Sequence, residues 1–333
     1  MQKISPEKIN DIFNRFTEKK ILVVGDIMLD AYYWGNVNRI SPEAPVPVVQ
    51  ISQKEYRIGG AGNVALNIKN LGAEVFMVSV CGNDDEGVHL KNILEKNAID
   101  NNGILECKGR TTTVKSRIIA NNQQQLLRLD SEQSTLLGRK ENKLVFESCM
   151  ERLDKCDALV FEDYDKGLLS EKLIKNLINE ANSRSIPTIV DPKRRNFHHY
   201  RNSTLFKPNL QELRNGMNML IPRPVQIETI RKAAEALFRR MNVGTAFITL
   251  SDEGVYINDR QKDMIVASHK RSIYDVSGAG DTVTAVAALA LSSGIGNELL
   301  ARLTNIAGGL VCEKVGVVPV AKDEFLNECI RLL

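Results

Sequence analysis

The stretch DVSGAGDTVTAVAALAL (275–291) sets a Gly-Ala-Gly turn directly before an apolar helix. The first N–H groups of such a helix have no partner within it, and the helix dipole stands behind them. Gly278, Ala279 and Gly280 therefore predict an anion site, where glycine lets the backbone approach a phosphate closely and take positive φ if the turn needs it. Asp281 falls in the first helical turn, beside that anion. Its carboxylate is either an ordinary helix-start residue or a general base next to a transferring phosphoryl group.

Three other places carry chemistry-bearing side chains. In IGGAGNVALNIKNLGA (58–73), Gly59, Gly60 and Asn63 open a second helix. No Gly-Lys-Ser/Thr follows and the spacing is not G-x-G-x-x-G, so neither a P-loop nor a dinucleotide fingerprint is present. Asp26 and Asp30 are expected at the end of the first strand. Ligands of open α/β sheets bind there, so a carboxylate could grip hydroxyls or simply be a solvated loop acid. In KPNLQEL (207–213), Asn209 and Glu212 could hold hydrated magnesium near phosphates, or form a helix cap and its capping-box partner.

These groups need a scaffold to bring them together. Residues 6–18 read as a helix with Ile9, Ile12, Phe13 and Phe16 on one face. Residues 19–30 read as a buried strand and 61–71 as a helix; 74–82 is a buried strand and 86–97 a helix. Then come a helix at 144–153, strand 157–163, helix 169–184, strands 187–192 and 204–209, helix 226–240, strands within 244–257, and helices 279–293 and 297–313. Strands alternating with helices predict a parallel α/β sheet. Two β-rich stretches, 31–58 and 110–130, fit no βαβ unit and predict a small separate sheet.

Composition narrows the class. Across 333 residues, 43% are apolar and 26% charged, and the net charge is +3, too small to imply a nucleic-acid partner. The six scattered cysteines form no C-x-x-C pair and fit reduced thiols in a cytoplasmic protein. No apolar run approaches the roughly 18–20 residues that cross a bilayer, so no membrane partner is expected.

The pair GGAGN (59–63) and DVSGAGD (275–281), with KPNLQE (207–212) as an N-x-x-E motif and ITLSDEGV (248–255) between them, resembles the signatures of ribokinase-like (PfkB) carbohydrate kinases, in family order. Within that family, GDIMLDAYYWGNVNRISPEAPVPVV (25–49), NNQQQLLRLD (121–130), EDYDKGLL (162–169), VDPKRRNF (190–197) and NIAGGLVCEKVGV (305–317) resemble the branch acting on D-glycero-β-D-manno-heptose 7-phosphate. The likeness runs from about residue 10 to 330. GGAGN is one residue shorter than the G-G-x-G-x-N of ribokinase itself, which weakens an inference of free ribose.

The resemblance implies a three-layer α/β/α domain over 1–333 with a mostly parallel sheet. The stretches at about 31–58 and 110–130 would form a β-sheet lid that often makes a homodimer contact. It implies ATP and Mg²⁺ and raises a monovalent cation such as K⁺. It implies Asp281 as general base, with Gly278, Ala279 and Gly280 as the anion hole. Asp30, Asn63, Gly59 and Gly60 would serve the sugar; Asn209 and Glu212, magnesium and phosphate; Ser251, Gly254 and Asn305, the adenosine side. The reaction implied is phosphorylation of the anomeric hydroxyl to the 1,7-bisphosphate, a precursor of surface heptose such as that of lipopolysaccharide. No H-x-G-H motif of the nucleotidyltransferase often fused to such kinases occurs in these residues, so the kinase activity alone is expected. A phosphorylated sugar also calls for a cationic pocket away from Asp281. Lys193 is the first candidate, then Arg128, Lys115, Arg117, Arg194 and Arg195, arginine suiting phosphate through its bidentate fork.

Overall fold

The computed structural model describes residues 3–120 and 124–333. The chain opens with α1 (Pro6–Thr17), β1 (Lys20–Gly25), β2 (Ile27–Ile40), β3 (Pro47–Gly60), α2 (Ala61–Asn70) and β4 (Glu74–Gly82). There follow α3 (Asp85–Lys96), β5 (Ile104–Cys107), β6 (Val114–Ala120), β7 (Gln124–Ser131), α4 (Arg139–Leu153) and β8 (Ala158–Glu162). Next are α5 (Glu171–Ser183), β9 (Thr188–Asp191), β10 (Leu205–Phe206), α6 (Leu210–Met217), α7 (Ile227–Met241) and β11 (Thr245–Thr249). The chain closes with β12 (Val255–Asn258), β13 (Asp263–Val266), α8 (Ala279–Ser292), α9 (Asn297–Cys312) and α10 (Lys322–Leu332).

Among the described residues, the main sheet has the order β13-β12-β11-β10-β9-β8-β1-β4-β5. It is parallel from β5 to β11, and β12 and β13 add an antiparallel edge. The centre of the sheet shows why both faces must be covered. In β1, Ile21 and Val23 pack into one core with α1, α2, α8, α9 and α10, while Leu22 and Val24 pack into another with α4, α5, α6 and α7. Successive side chains of a strand point to opposite faces, and an unbroken apolar run is what a sheet buried on both sides requires. No helix among the described residues is long and apolar enough to cross a membrane.

The second sheet has four strands among the described residues, in the order β3-β2-β6-β7. It takes up the β-rich stretches at 31–58 and 110–130, of which residues 121–123, and with them the start of NNQQQLLRLD, lie outside the described residues. The continuous strand expected over 19–30 divides in two. Gly25 ends β1, and from Ile27 the chain pairs with β3 and β6 in the small sheet. Asp26 makes the break. Its buried carboxylate accepts from the N–H groups of Tyr164 (2.9 Å), Lys166 (3.0 Å) and Leu168 (3.3 Å), holding the loop after β8. It grips a loop, not a hydroxyl-bearing ligand. Asp30 consequently lies within β2, not at the end of the first strand.

Candidate active site

Gly278 caps α8 with φ +80°, a left-handed conformation that glycine adopts without strain, and a Cβ there would lie 2.7 Å from the Asn63 amide nitrogen. The N–H of Ala279 turns back to Val276, and Thr282 N–H begins the helical ladder; no described group accepts from the N–H of Gly280 or Asp281. Those two donors are left for an anion. A Cβ on Gly280 would meet the Asp191 carboxylate at 3.8 Å and the Lys207 ammonium at 4.0 Å.

The Asp281 side chain is buried and held from two directions. Asn63 Nδ2 donates to its Oδ2 at 2.8 Å, and the Tyr164 hydroxyl donates to its Oδ1 at 2.6 Å. Burial pushes its carboxyl up to about 6, against the pull of these two donors. Asn63 had been expected to meet sugar hydroxyls. It is fully buried, its amide donating to Asp281 and its oxygen accepting from Asn67 at 3.2 Å, so it braces Asp281.

Three neighbouring strands end on charged residues beside this carboxylate. Glu162 closes β8 and Asp191 closes β9, paired in register, and Lys207 follows β10. Lys207 Nζ lies 2.8 Å from Asp191 Oδ2, and both are buried. Burial opposes the charge of each. The Lys207 ammonium nonetheless holds Asp191 below the usual carboxylate range, and Asp191 holds Lys207 up. Neither oxygen of Glu162 takes a hydrogen bond from a described donor, and burial, then the Asp191 charge, push its carboxyl well up. Burial and the Asp191 charge thus favour the protonated form of Glu162. Above the ordinary value of 4.5, the unfolded chain releases this proton while the folded chain keeps it, so stability falls as pH rises. Glu162→Gln, neutral in both states, should melt higher than the parent at pH 8, with the gap closing towards pH 4. Equal melting at both ends would exclude the neutral acid.

Lys193 does not sit in a pocket remote from Asp281. Its ammonium lies 2.5 Å from Glu212 Oε1, 3.8 Å from Asp191 and 5.0 Å from the centre of the Tyr164 ring. Burial alone would lower it; Asp191 and then Glu212 outweigh burial and push it up. The capping box is formed as well. Asn209 Oδ1 accepts from Glu212 N–H and Glu212 Oε2 from Asn209 N–H, each at 2.8 Å. Glu212 therefore both caps α6 and offers charge towards the site.

On the small sheet, Asp30 is buried and ion-paired with Arg117. A Cβ on Gly59 would collide with the Asp30 carboxylate, and Gly60 turns into α2 at φ +58°. Arg117 and Arg128 are register partners, as are Lys115 and Asp130, so all four share one face. Arg128 is half exposed and bound to Asp130 at 2.9 and 3.0 Å. Lys115 makes no ion pair among the described residues; its ammonium lies 5.2 Å from the Tyr164 ring centre, on the side of the small sheet. Ser251 and Gly254 flank the short turn between β11 and β12, and Asn305 donates to the carbonyls of Val266 and Ala267 at 2.8 and 3.3 Å. Asn305 so ties α9 to the chain leaving β13.

A model of the pfkB family carbohydrate kinases matches residues 18–323. The chain belongs to the PfkB family of carbohydrate kinases. Among its PfkB relatives, the bifunctional protein HldE of Koribacter versatilis is 40% identical over 319 residues, covering 96% of this chain and 65% of that protein. The chain thus spans just under two thirds of the length of that relative. Solved PfkB-like folds superpose closely. Phosphofructokinase-2 from Escherichia coli, in complex with potassium, gives a TM-score of 0.78 at 20% identity, covering 94% of this chain and 99% of that one. Arabidopsis thaliana ribokinase complexed with ribose and ATP gives 0.73 at 15% identity, covering 94% and 99%.

Glu162, Tyr164, Asp191 and Lys207 went unassigned in the sequence. A signal was there: in LVFED, TIVDP and LFKP, a charged residue directly ends an apolar run, the place where strands of a parallel sheet deliver side chains to a ligand.

Proposed function

We propose that this PfkB carbohydrate kinase transfers the γ-phosphate of ATP to the anomeric hydroxyl of D-glycero-β-D-manno-heptose 7-phosphate, with Asp281 as general base. The observation that carries the reading is the Asp281 carboxylate, braced by Asn63 and Tyr164 at the mouth of a helix whose Gly280 and Asp281 N–H groups are open. Asp281 takes the proton of the attacking hydroxyl. The new O–P bond forms as the bond to the β-phosphate bridging oxygen breaks, and ADP leaves. The open N–H groups and the Lys193 ammonium offset charge on the transferring group, the larger share of catalysis in phosphoryl transfer.

Among the described residues, no three Asp, Glu, His or Cys side chains are grouped to cage a metal ion. The Glu212 carboxylate, beside the site and next to Lys193, suits magnesium, which keeps waters and takes only one or two carboxylates. Glu212 would hold it through water, and the ion would neutralise phosphate charge. Asp30, Gly59 and Gly60 form the sugar end and Ser251, Gly254 and Asn305 the nucleotide end. The chain acts as one domain with the small sheet as lid. Leu126, Leu127 and Leu129 stand exposed on β7 at that sheet's edge, which supports a homodimer contact there.

The heptose rests on the sequence resemblance and the likeness to HldE. Because the chain spans only part of that relative, a second activity is not carried over. The acceptor's own phosphate would meet the basic face of the small sheet, where Lys115 has no carboxylate partner among the described residues, with Arg128 beyond it. An ADP-release assay over a panel of sugars and sugar phosphates should give the highest kcat/KM with the heptose 7-phosphate. Lys115→Met should raise KM for that substrate about 10–100-fold, the size of one charged hydrogen bond, and change kcat much less. Turnover of another sugar with none of the heptose 7-phosphate would reject the substrate and leave the kinase.

A further inference from the structure

Tyr164 is fixed at every point along its length. Its N–H is held by Asp26 at 2.9 Å. Two ammonium groups lie over its ring, Lys115 from β6 at 5.2 Å and Lys193 from the segment after β9 at 5.0 Å from its centre. Its hydroxyl ends on Asp281 Oδ1 at 2.6 Å. A ring face attracts a cation, so both lysines favour the ring placement in which the O–H reaches the carboxylate. From these contacts we propose that Tyr164 is a positioning residue for Asp281, keeping that carboxylate ionised and its free lone pairs turned towards the acceptor hydroxyl. The inference rests on the reading of Asp281 as base.

The charged surroundings make such a donor necessary. Asp281 shares its buried site with Glu162 from β8, Asp191 from β9, Lys193, and Lys207 after β10, with Asn63 on α2 as the second donor. Burial and the nearby Asp191 charge favour the protonated, inactive form of Asp281; the two hydrogen bonds favour the carboxylate. Burial and the Asp281 charge push the phenol well up, so Tyr164 stays protonated and donates throughout the working range.

The test is Tyr164→Phe, which keeps the ring and both lysine contacts and removes only the O–H. The acid limb of kcat/KM against pH should move up by about one unit, the scale of one hydrogen bond to a charged group. Well above that limb, turnover should return to within about tenfold of the parent. Carboxyl ¹³C NMR of aspartate-labelled protein, with Asp281→Asn assigning the signal, should show the Asp281 titration moving up by the same amount. A loss equal at every pH, with the titration unmoved, would overturn the proposal, since a packing defect has no reason to follow protonation. If the titration moves but the rate limb does not, Tyr164 still tunes Asp281, and it is the general-base reading that falls.

Discussion

Asp281→Asn should lower kcat by about 10²–10⁴-fold, the usual scale for loss of a general base, while nucleotide and sugar still bind. The parent's kcat/KM should fall as pH drops through about 6, because burial holds the carboxyl at that value and only the ionised form accepts a proton. The asparagine variant should lose that limb. It should also lose some stability. Asn63 Nδ2 and the Tyr164 hydroxyl are both donors, and the carboxylate accepts from both. An amide offers one oxygen, so one buried donor is stranded, at roughly 1–3 kcal/mol. Coupled ADP release across pH, with calorimetric titration of a non-hydrolysable nucleotide, separates the two effects. Turnover within tenfold of the parent would remove Asp281 from the chemistry, and with it the mechanism.

Lys207→Met should have the largest effect on stability, up to about 3–5 kcal/mol, because it removes the nearer of the two ammonium groups beside the buried Asp191 charge and leaves only Lys193 at 3.8 Å. The pair itself is not what holds the sheet together. Two charges taken out of water recover little more than their desolvation, and the damage lies in leaving one alone. Lys207→Met combined with Asp191→Asn should therefore recover much of the loss in denaturant unfolding, although neither change restores activity. If the single variant is as stable as the parent, Lys193 alone suffices as the counter-charge of Asp191, or Asp191 is not ionised. If the double variant is no better than the single, packing around the lysine stem is the cause.

The two cases show how far the residues alone could be read. The fold class was legible because it depends on local periodicity. The apolar run of β1, the helical stripe of α1, the largely apolar α8 and the β-rich stretches feeding the small sheet all announce themselves within about ten residues. The Gly-Ala-Gly turn and the N-x-x-E spacing were legible for the same reason: helix-start geometry is written in consecutive residues. Even there the functional reading of Asn209 and Glu212 needed the structure, since the capping box and the ion pair with Lys193 use the same carboxylate.

What the sequence determined by itself was a β/α alternation, two glycine-opened helices and a carboxylate at the mouth of one of them. The structure alone decided that Asn63 reaches across 218 residues of chain to Asp281, that Tyr164 comes at the same carboxylate from 117 residues away, and that Lys193 stands beside it. Parallel strands put their carboxyl ends side by side however far apart they lie along the chain. Which side chains meet there is fixed by strand order and register, and neither is encoded in any local run of residues.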